Sequence, residues 1–74
     1  MKPVIEFLEK NGFVELIKGD YGNSKCIVNI GERYYTIINA ANNDKMYSQN
    51  LNIYWLIGVL TYYGYMDKNY KQLN

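Results

Sequence analysis

Residues 51–63 are apolar on nearly every side of the helix that their spacing predicts. At about 100° per residue, the side chains fall into two apolar arcs separated by a less apolar side. The first arc contains Ile53, Leu56, Ile57 and Leu60, flanked by Tyr63, and the second contains Leu51, Trp55, Val59 and Tyr62. Tyr54, Gly58 and Thr61 form the less apolar side. Such a helix is normally buried on most sides. In a chain of 74 residues, we expect one arc to pack on a sheet and the other on a first helix or on another protein.

The middle of the chain predicts three antiparallel strands, at residues 13–18, 25–30 and 33–39, with a short fourth edge strand compatible with residues 45–48. Residues 19–24 are dense in turn formers. Gly31-Glu32 suits a two-residue hairpin turn between the second and third strands. Alternation places Cys26, Val28 and Ile30 on one face, Tyr34, Thr36 and Ile38 on one face of the next strand, and Tyr35 and Ile37 opposite. Both faces are apolar, so which one is covered stays open.

Two helices flank these strands. Residues 3–11 predict the first, because Pro3 suits the first helical turn and apolar and charged residues occupy opposite sides. Ser48 or Asn50 is expected to cap the second helix, and Gly12 and Gly64 are expected to end the two helices in the left-handed conformation. The prediction is one α+β domain over residues 1–74: a helix, a three-stranded meander and a C-terminal helix, with the helices on one face. Residues 67–74 are expected to fray, apart from Tyr70.

The composition excludes several kinds of chemistry. The chain has no histidine and one cysteine, so it can form neither an internal disulfide nor a Cys/His zinc site, and no histidine base is present. We expect Cys26 to be a small buried hydrophobe. The acidic residues are scattered and no phosphate-loop pattern occurs. The sequence therefore predicts a protein that is not an enzyme, with no metal, cofactor or small-molecule substrate.

Location is predicted from two further patterns. The apolar stretch at residues 51–66 is shorter than the ~20 residues of a membrane span and is interrupted by polar residues and glycine. The N-terminus shows no secretory signal. We therefore expect no membrane insertion and a cytoplasmic location.

Aromatic residues indicate a binding role. Nine tyrosines and one tryptophan exceed what so small a core can enclose, and these side chains anchor protein interfaces. The candidate interaction residues are Tyr34, Tyr35, Leu51, Trp55, Val59 and Tyr62. The expected partner is another protein or a second copy of the chain. Arg33, Tyr34 and Tyr35 could stack on single-stranded nucleic acid, but the net charge of +1 disfavours that alternative.

Two segments carry a resemblance. Residues 50–64, continuing through Met66-Asp67-Lys68-Asn69-Tyr70, and the opening Phe7-Leu8-Glu9-Lys10-Asn11-Gly12-Phe13 are similar to short uncharacterised proteins of Bacteroides-type gut bacteria, their phages and their mobile elements. The resemblance implies a small accessory gene product and carries no activity, site or cofactor. A protein of this kind is expected to bind and inhibit a host or defence factor, or to be a minor virion or cargo component.

Overall fold

The computed structural model of the protein describes residues 2–72. The elements are α1 (Lys2–Lys10), β1 (Val14–Ile17), β2 (Asp20–Gly22), β3 (Cys26–Ile30), β4 (Tyr35–Asn39), β5 (Lys45–Tyr47) and α2 (Ile53–Tyr62). The five strands form one antiparallel sheet in the order β1-β2-β3-β4-β5. The predicted α+β class is confirmed, and the three-stranded meander is wrong: the sheet has five strands.

The additional strand β2 lies in the segment expected to be a loop. Ile17 lies opposite Asp20, so β1 and β2 are joined by a tight turn in which Gly19 has a φ of 91°. The segment is rich in Asp, Gly and Asn, which favour turns, so its composition predicted a loop. In the structure it forms a strand, and the Tyr21 side chain of that strand is buried in the core. The edge strand expected at residues 45–48 is present as β5.

The hairpin between β3 and β4 is longer than expected. Ile30 lies opposite Tyr35, which leaves a four-residue loop at 31–34 where a two-residue turn was predicted. This register pairs Ile27 with Ile38 and Val28 with Ile37, so β-branched side chains meet on both faces. Favourable cross-strand pairing therefore sets the register of β3 and β4, although the local sequence Gly31-Glu32 favours a shorter turn.

The core lies on one face of the sheet, which we call the inner face. Its buried side chains come from α1, the turn after it, β2, β3, β4, α2 and the C-terminal segment: Val4, Phe7, Leu8, Phe13, Tyr21, Cys26, Val28, Tyr35, Ile37, Leu56, Leu60 and Met66. Cross-strand partners share a face, and Tyr21, Val28 and Ile37 are such partners. Both helices therefore cover this face, and the opposite face, here called the outer sheet face, is open.

The helix ends are partly as expected. Gly12 and Gly64 have φ values of 91° and 74°, which confirms the left-handed conformation after each helix. Neither Ser48 nor Asn50 caps α2: Asn52 does so, and its side-chain oxygen accepts from the amides of Tyr54 and Trp55 at 2.9 and 3.3 Å. The reason is that Ser48 is buried, where its Oγ accepts from the Tyr35 amide at 2.7 Å and donates to the Asn50 carbonyl at 2.7 Å.

The C-terminal segment lies against α1 and the residue that follows it. The Asn11 side chain donates to the Lys71 carbonyl at 3.0 Å and accepts from the Lys71 amide at 2.7 Å. The rings of Phe7 and Tyr70 meet edge to face at 5.9 Å. The segment therefore contacts α1 and Asn11 as far as Gln72, and the fraying expected for residues 67–74 stays a prediction. The last two positions of the predicted tail lie outside the described residues. Over residues 2–72, neither helix has the length and apolar character needed to cross a membrane.

Candidate protein-binding surfaces

The two apolar arcs predicted for α2 differ in how deeply their side chains are buried. Leu56 and Leu60 of the first arc are fully buried. In the second arc, Leu51, Trp55 and Val59 are half-buried and pack against the core, whereas Tyr62 is 81% exposed. The second arc is therefore not a free surface as a whole: Tyr62 alone is fully available, with Trp55 at its margin.

The exposed side of α2 is aromatic. Tyr54, Gly58 and Tyr62 are four residues apart and so lie along one strip of the helix, and Tyr63 follows at the helix end. Tyr54 and Tyr62 are 73% and 81% exposed, and Tyr63 is 51% exposed. We call these four residues the tyrosine face. Sequence reasoning placed Tyr54 and Gly58 on the less apolar side of the helix but did not name them as candidate interaction residues.

Two features give the tyrosine face a defined shape. Gly58 is exposed and has no side chain, so it leaves a notch between the rings of Tyr54 and Tyr62. A groove beside this notch has a volume of about 410 Å³ and is lined by Gly58, Thr61, Tyr62, Lys68 and Tyr70. A partner side chain can enter this groove beside the Tyr62 ring.

Neighbouring rings hold the end of the tyrosine face in place. Tyr62 and Tyr63 meet edge to face at 4.9 Å, and Tyr63 stacks on Tyr65 at 5.9 Å. The Tyr65 hydroxyl accepts a hydrogen bond from the Asn39 side chain at 3.0 Å, which connects these rings to β4. Aromatic side chains ordered in this way lose little conformational entropy on binding.

The two neighbouring candidate interaction residues Tyr34 and Tyr35 differ in burial. Tyr35 is fully buried, its hydroxyl donates to the Leu51 carbonyl at 3.3 Å, and burial raises its pKa. Tyr34 is 44% exposed and its ring lies 5.9 Å from that of Tyr47. Tyr35 is therefore a core residue and not an interaction residue, and the expected platform of Arg33, Tyr34 and Tyr35 is not assembled.

The outer sheet face is a second apolar surface. Register and cross-strand pairing place on it Val14, Leu16, Ile17, Ile27, Ile38 and Tyr47. Val14, Leu16 and Ile17 are 60%, 53% and 67% exposed. Sequence analysis missed β1 as a surface, because a register shift between Glu15 and Ile17 breaks the alternation that would have shown it.

Ionisable and nucleophilic groups are sparse in the interior. Cys26 is fully buried, and burial raises the pKa of its thiol to about 12. Within residues 2–72, no three Cys, Asp or Glu side chains cluster where they could hold a metal ion. In the same part of the chain, every buried side-chain nitrogen and oxygen has a hydrogen-bond partner. The features that stand out are the two apolar surfaces.

Comparisons with protein-family models, curated proteins and solved structures return no match to this chain.

Proposed function

We propose that this protein is a non-catalytic binding protein that recognises another protein through its tyrosine face. One observation carries the proposal: Tyr54 and Tyr62, at 73% and 81% exposure, project from a helix whose opposite side already fills the core. Exposed aromatic rings at this density are unfavourable in water and typical of interface anchors. The notch at Gly58 supplies the concave element into which a partner side chain fits.

Charge favours a protein over a nucleic acid as the partner. Residues 53–62 contain no charged side chain, and Lys68 is the one lysine that lines the adjacent groove. Affinity for nucleic acids depends mainly on cationic contacts to phosphates. The burial of Tyr35 also removes one of the two rings proposed for base stacking.

The proposed setting follows from the resemblance to accessory proteins of Bacteroides-type bacteria, their phages and mobile elements. In that setting the partner is a host or defence factor in the cytoplasm, which the protein binds and inhibits, or a protein of the virion. An inhibitor retains a stoichiometric host partner, whereas a virion component co-purifies with particles.

Affinity capture from a lysate of a Bacteroides-type host tests the proposal. The tagged protein is compared with a double variant, Tyr54→Ser with Tyr62→Ser, and with the control Glu6→Ala, an exposed change on α1. We expect one stoichiometric protein to be retained by the wild type and the control and lost by the double variant. Equal retention by all three, or no specific retention, would contradict a binding role for the tyrosine face.

A further inference from the structure

The outer sheet face is apolar at its centre and has unlike ends. Ile27 and Ile38 are directly paired in the middle of the sheet. At the β1 edge the face is aliphatic, with Val14, Leu16 and Ile17 all more than half exposed. At the β5 edge it is aromatic, with Tyr47 57% exposed and in contact with the Tyr34 ring.

The aliphatic end is continuous with the centre of the face. Gly22 lies opposite both Val14 and Ile27. A methyl group added at Gly22 would lie 2.8 Å from Leu16 Cδ1 and 3.5 Å from Ile27 Cγ1. The Leu16 side chain therefore lies across the bare backbone of Gly22 and joins β1 to β3. The result is one apolar strip running from β1 to β4.

The charges on this face have opposite signs and lie on different strands. Register places Asp20 of β2 and Lys45 of β5 on the outer sheet face, where they are the charged residues among the strand positions. Asp20 accepts a hydrogen bond from the Asn29 side chain at 2.5 Å. The net charge of the chain is +1, so two copies repel each other little.

We propose that the outer sheet faces of two copies stack to form a symmetric dimer, a sandwich of ten strands with the helices on the outside. The third of the five strands, β3, lies at the middle of the sheet. A twofold axis along β3 places the aliphatic β1 end of each copy over the aromatic β5 end of the other. The rotation keeps positions along the strands. Asp20, which is level with Asn29 and Thr36 in its own sheet, therefore faces Thr36 of the second copy. Lys45 faces Val14 for the same reason. Unlike ends thus meet on both sides of the axis, and like charges are not placed opposite each other.

The size and composition of the face fit a dimer better than a transient partner. Homodimer interfaces are more apolar than transient ones. A standard interface buries about 800 Å² per partner, roughly a sixth of the 5063 Å² that one copy exposes. One broad side of a molecule measuring 31 × 25 × 22 Å can supply such an area. The dimer goes beyond the proposed function, since the tyrosine faces remain free on its two outer sides.

Sedimentation equilibrium over a dilution series tests the dimer. We expect the wild type to dimerise, and Leu16→Lys with Ile17→Lys to weaken the dimer by at least about thirtyfold, as for loss of a hot spot. Because both side chains are more than half exposed, the variant should fold, which circular dichroism checks. Glu6→Ala, an exposed change on α1, is the control and should dimerise as the wild type does. Tyr62→Ser tests separately whether the tyrosine face forms the dimer instead.

Variants at the other end of the face distinguish stacking from edge-to-edge strand pairing. Tyr47→Lys should also weaken the dimer, and it replaces the β1 variant if that variant does not fold. A monomer at every concentration would overturn the proposal. A dimer that is weakened by the β1 variant but not by Tyr47→Lys would also overturn it, because that result would indicate edge-to-edge pairing along β1. A dimer that is lost only with Tyr62→Ser would overturn it as well, because that result would place the interface on the tyrosine face. A monomer that still retains its partner through the tyrosine face would leave the proposed function standing.

Discussion

Two glycines near the end of α2 should respond oppositely to the same substitution. Gly64 has a φ of 74° and Gly58 lies within the helix, and a methyl group at either would meet no atom within 4 Å. We therefore expect Gly64→Ala to destabilise the protein by about 1 kcal/mol, because a side chain is strained in the left-handed conformation. Gly58→Ala should stabilise it by about 0.5–1 kcal/mol, because alanine has the higher helix propensity.

Urea denaturation of the two variants and the wild type measures both effects. Equal destabilisation by both substitutions would show that packing rather than backbone conformation controls these positions. An unchanged stability of Gly64→Ala would show that α2 does not end in the left-handed conformation at this residue.

Cys26 should be chemically inert at neutral pH and should make stability sensitive to alkaline pH. Burial raises the pKa of the Cys26 thiol from the ordinary 9.0 of an unfolded chain to about 12 in the fold. Above pH 9 the unfolded chain therefore binds fewer protons than the folded one, so the free energy of unfolding falls as the pH rises toward 12. Below pH 9 the thiol contributes no pH dependence.

Denaturation at several pH values between 8 and 11 compares the wild type with Cys26→Ala. The wild-type stability should fall more steeply than that of the variant, which keeps only the contribution of tyrosines such as Tyr35, whose pKa is also raised by burial. Identical slopes would contradict this prediction. So would a native thiol that reacts with a thiol reagent as fast as the denatured protein does.

The roles of single residues were predicted correctly where few residue types can occupy the position. Gly12 and Gly64 were assigned correctly because few residues other than glycine adopt a positive φ readily. Cys26 was assigned correctly to a buried strand position. The cap of α2 was not, because Ser48, Asn50 and Asn52 are all good caps, and only the burial of Ser48 against Tyr35 decides among them.

At the scale of elements, the Asn11 side chain should hold the C-terminal segment on α1. It makes hydrogen bonds of 2.9 Å to the Phe7 carbonyl and of 3.0 and 2.7 Å to the backbone of Lys71. Asn11→Ala should destabilise the protein by about 1–2 kcal/mol, since it removes several hydrogen bonds. It should also accelerate hydrogen exchange at the Lys71 amide.

The control for Asn11→Ala is Gln49→Ala, which changes an exposed amide between β5 and α2. It should leave both the stability and the exchange rate of Lys71 unchanged. If the Lys71 amide of the wild type already exchanged at the rate of an unfolded peptide, the segment would not be held by Asn11.

Helices and strands were predictable where the periodic pattern of apolar residues continues over enough residues to be recognised. The first helix was placed within one residue at each end of α1, because opposite charged and apolar sides repeat over two turns. The strand β2 is three residues long and contains Asp20 and Gly22, so its sequence shows no strand period. The strand β2 forms because Tyr21 packs beside Val28 in the core. This tertiary contact cannot be recognised from the local sequence pattern.

At the scale of the whole molecule, the arrangement separates the core from the two exposed apolar surfaces. Both helices lie on the inner face of the sheet, so the tyrosine face and the outer sheet face lie on opposite sides. The sequence left open which sheet face is covered, since Tyr35 and Ile37 on one face and Ile38 on the other are all apolar. That choice depends on where two distant helices pack, and it also decides that Tyr35 belongs to the core and Tyr62 to the surface.

The free energy of unfolding of the Tyr54→Ser, Tyr62→Ser double variant tests most directly whether the tyrosine face serves binding rather than folding. Both rings are more than 70% exposed, so we predict a change within about 0.5 kcal/mol of the wild type, as for ordinary surface substitutions. Tyr35→Ala is the comparison from the core and should cost about 3–5 kcal/mol. A loss of about 2 kcal/mol or more in the double variant would show that these tyrosines stabilise the fold, and would contradict the account.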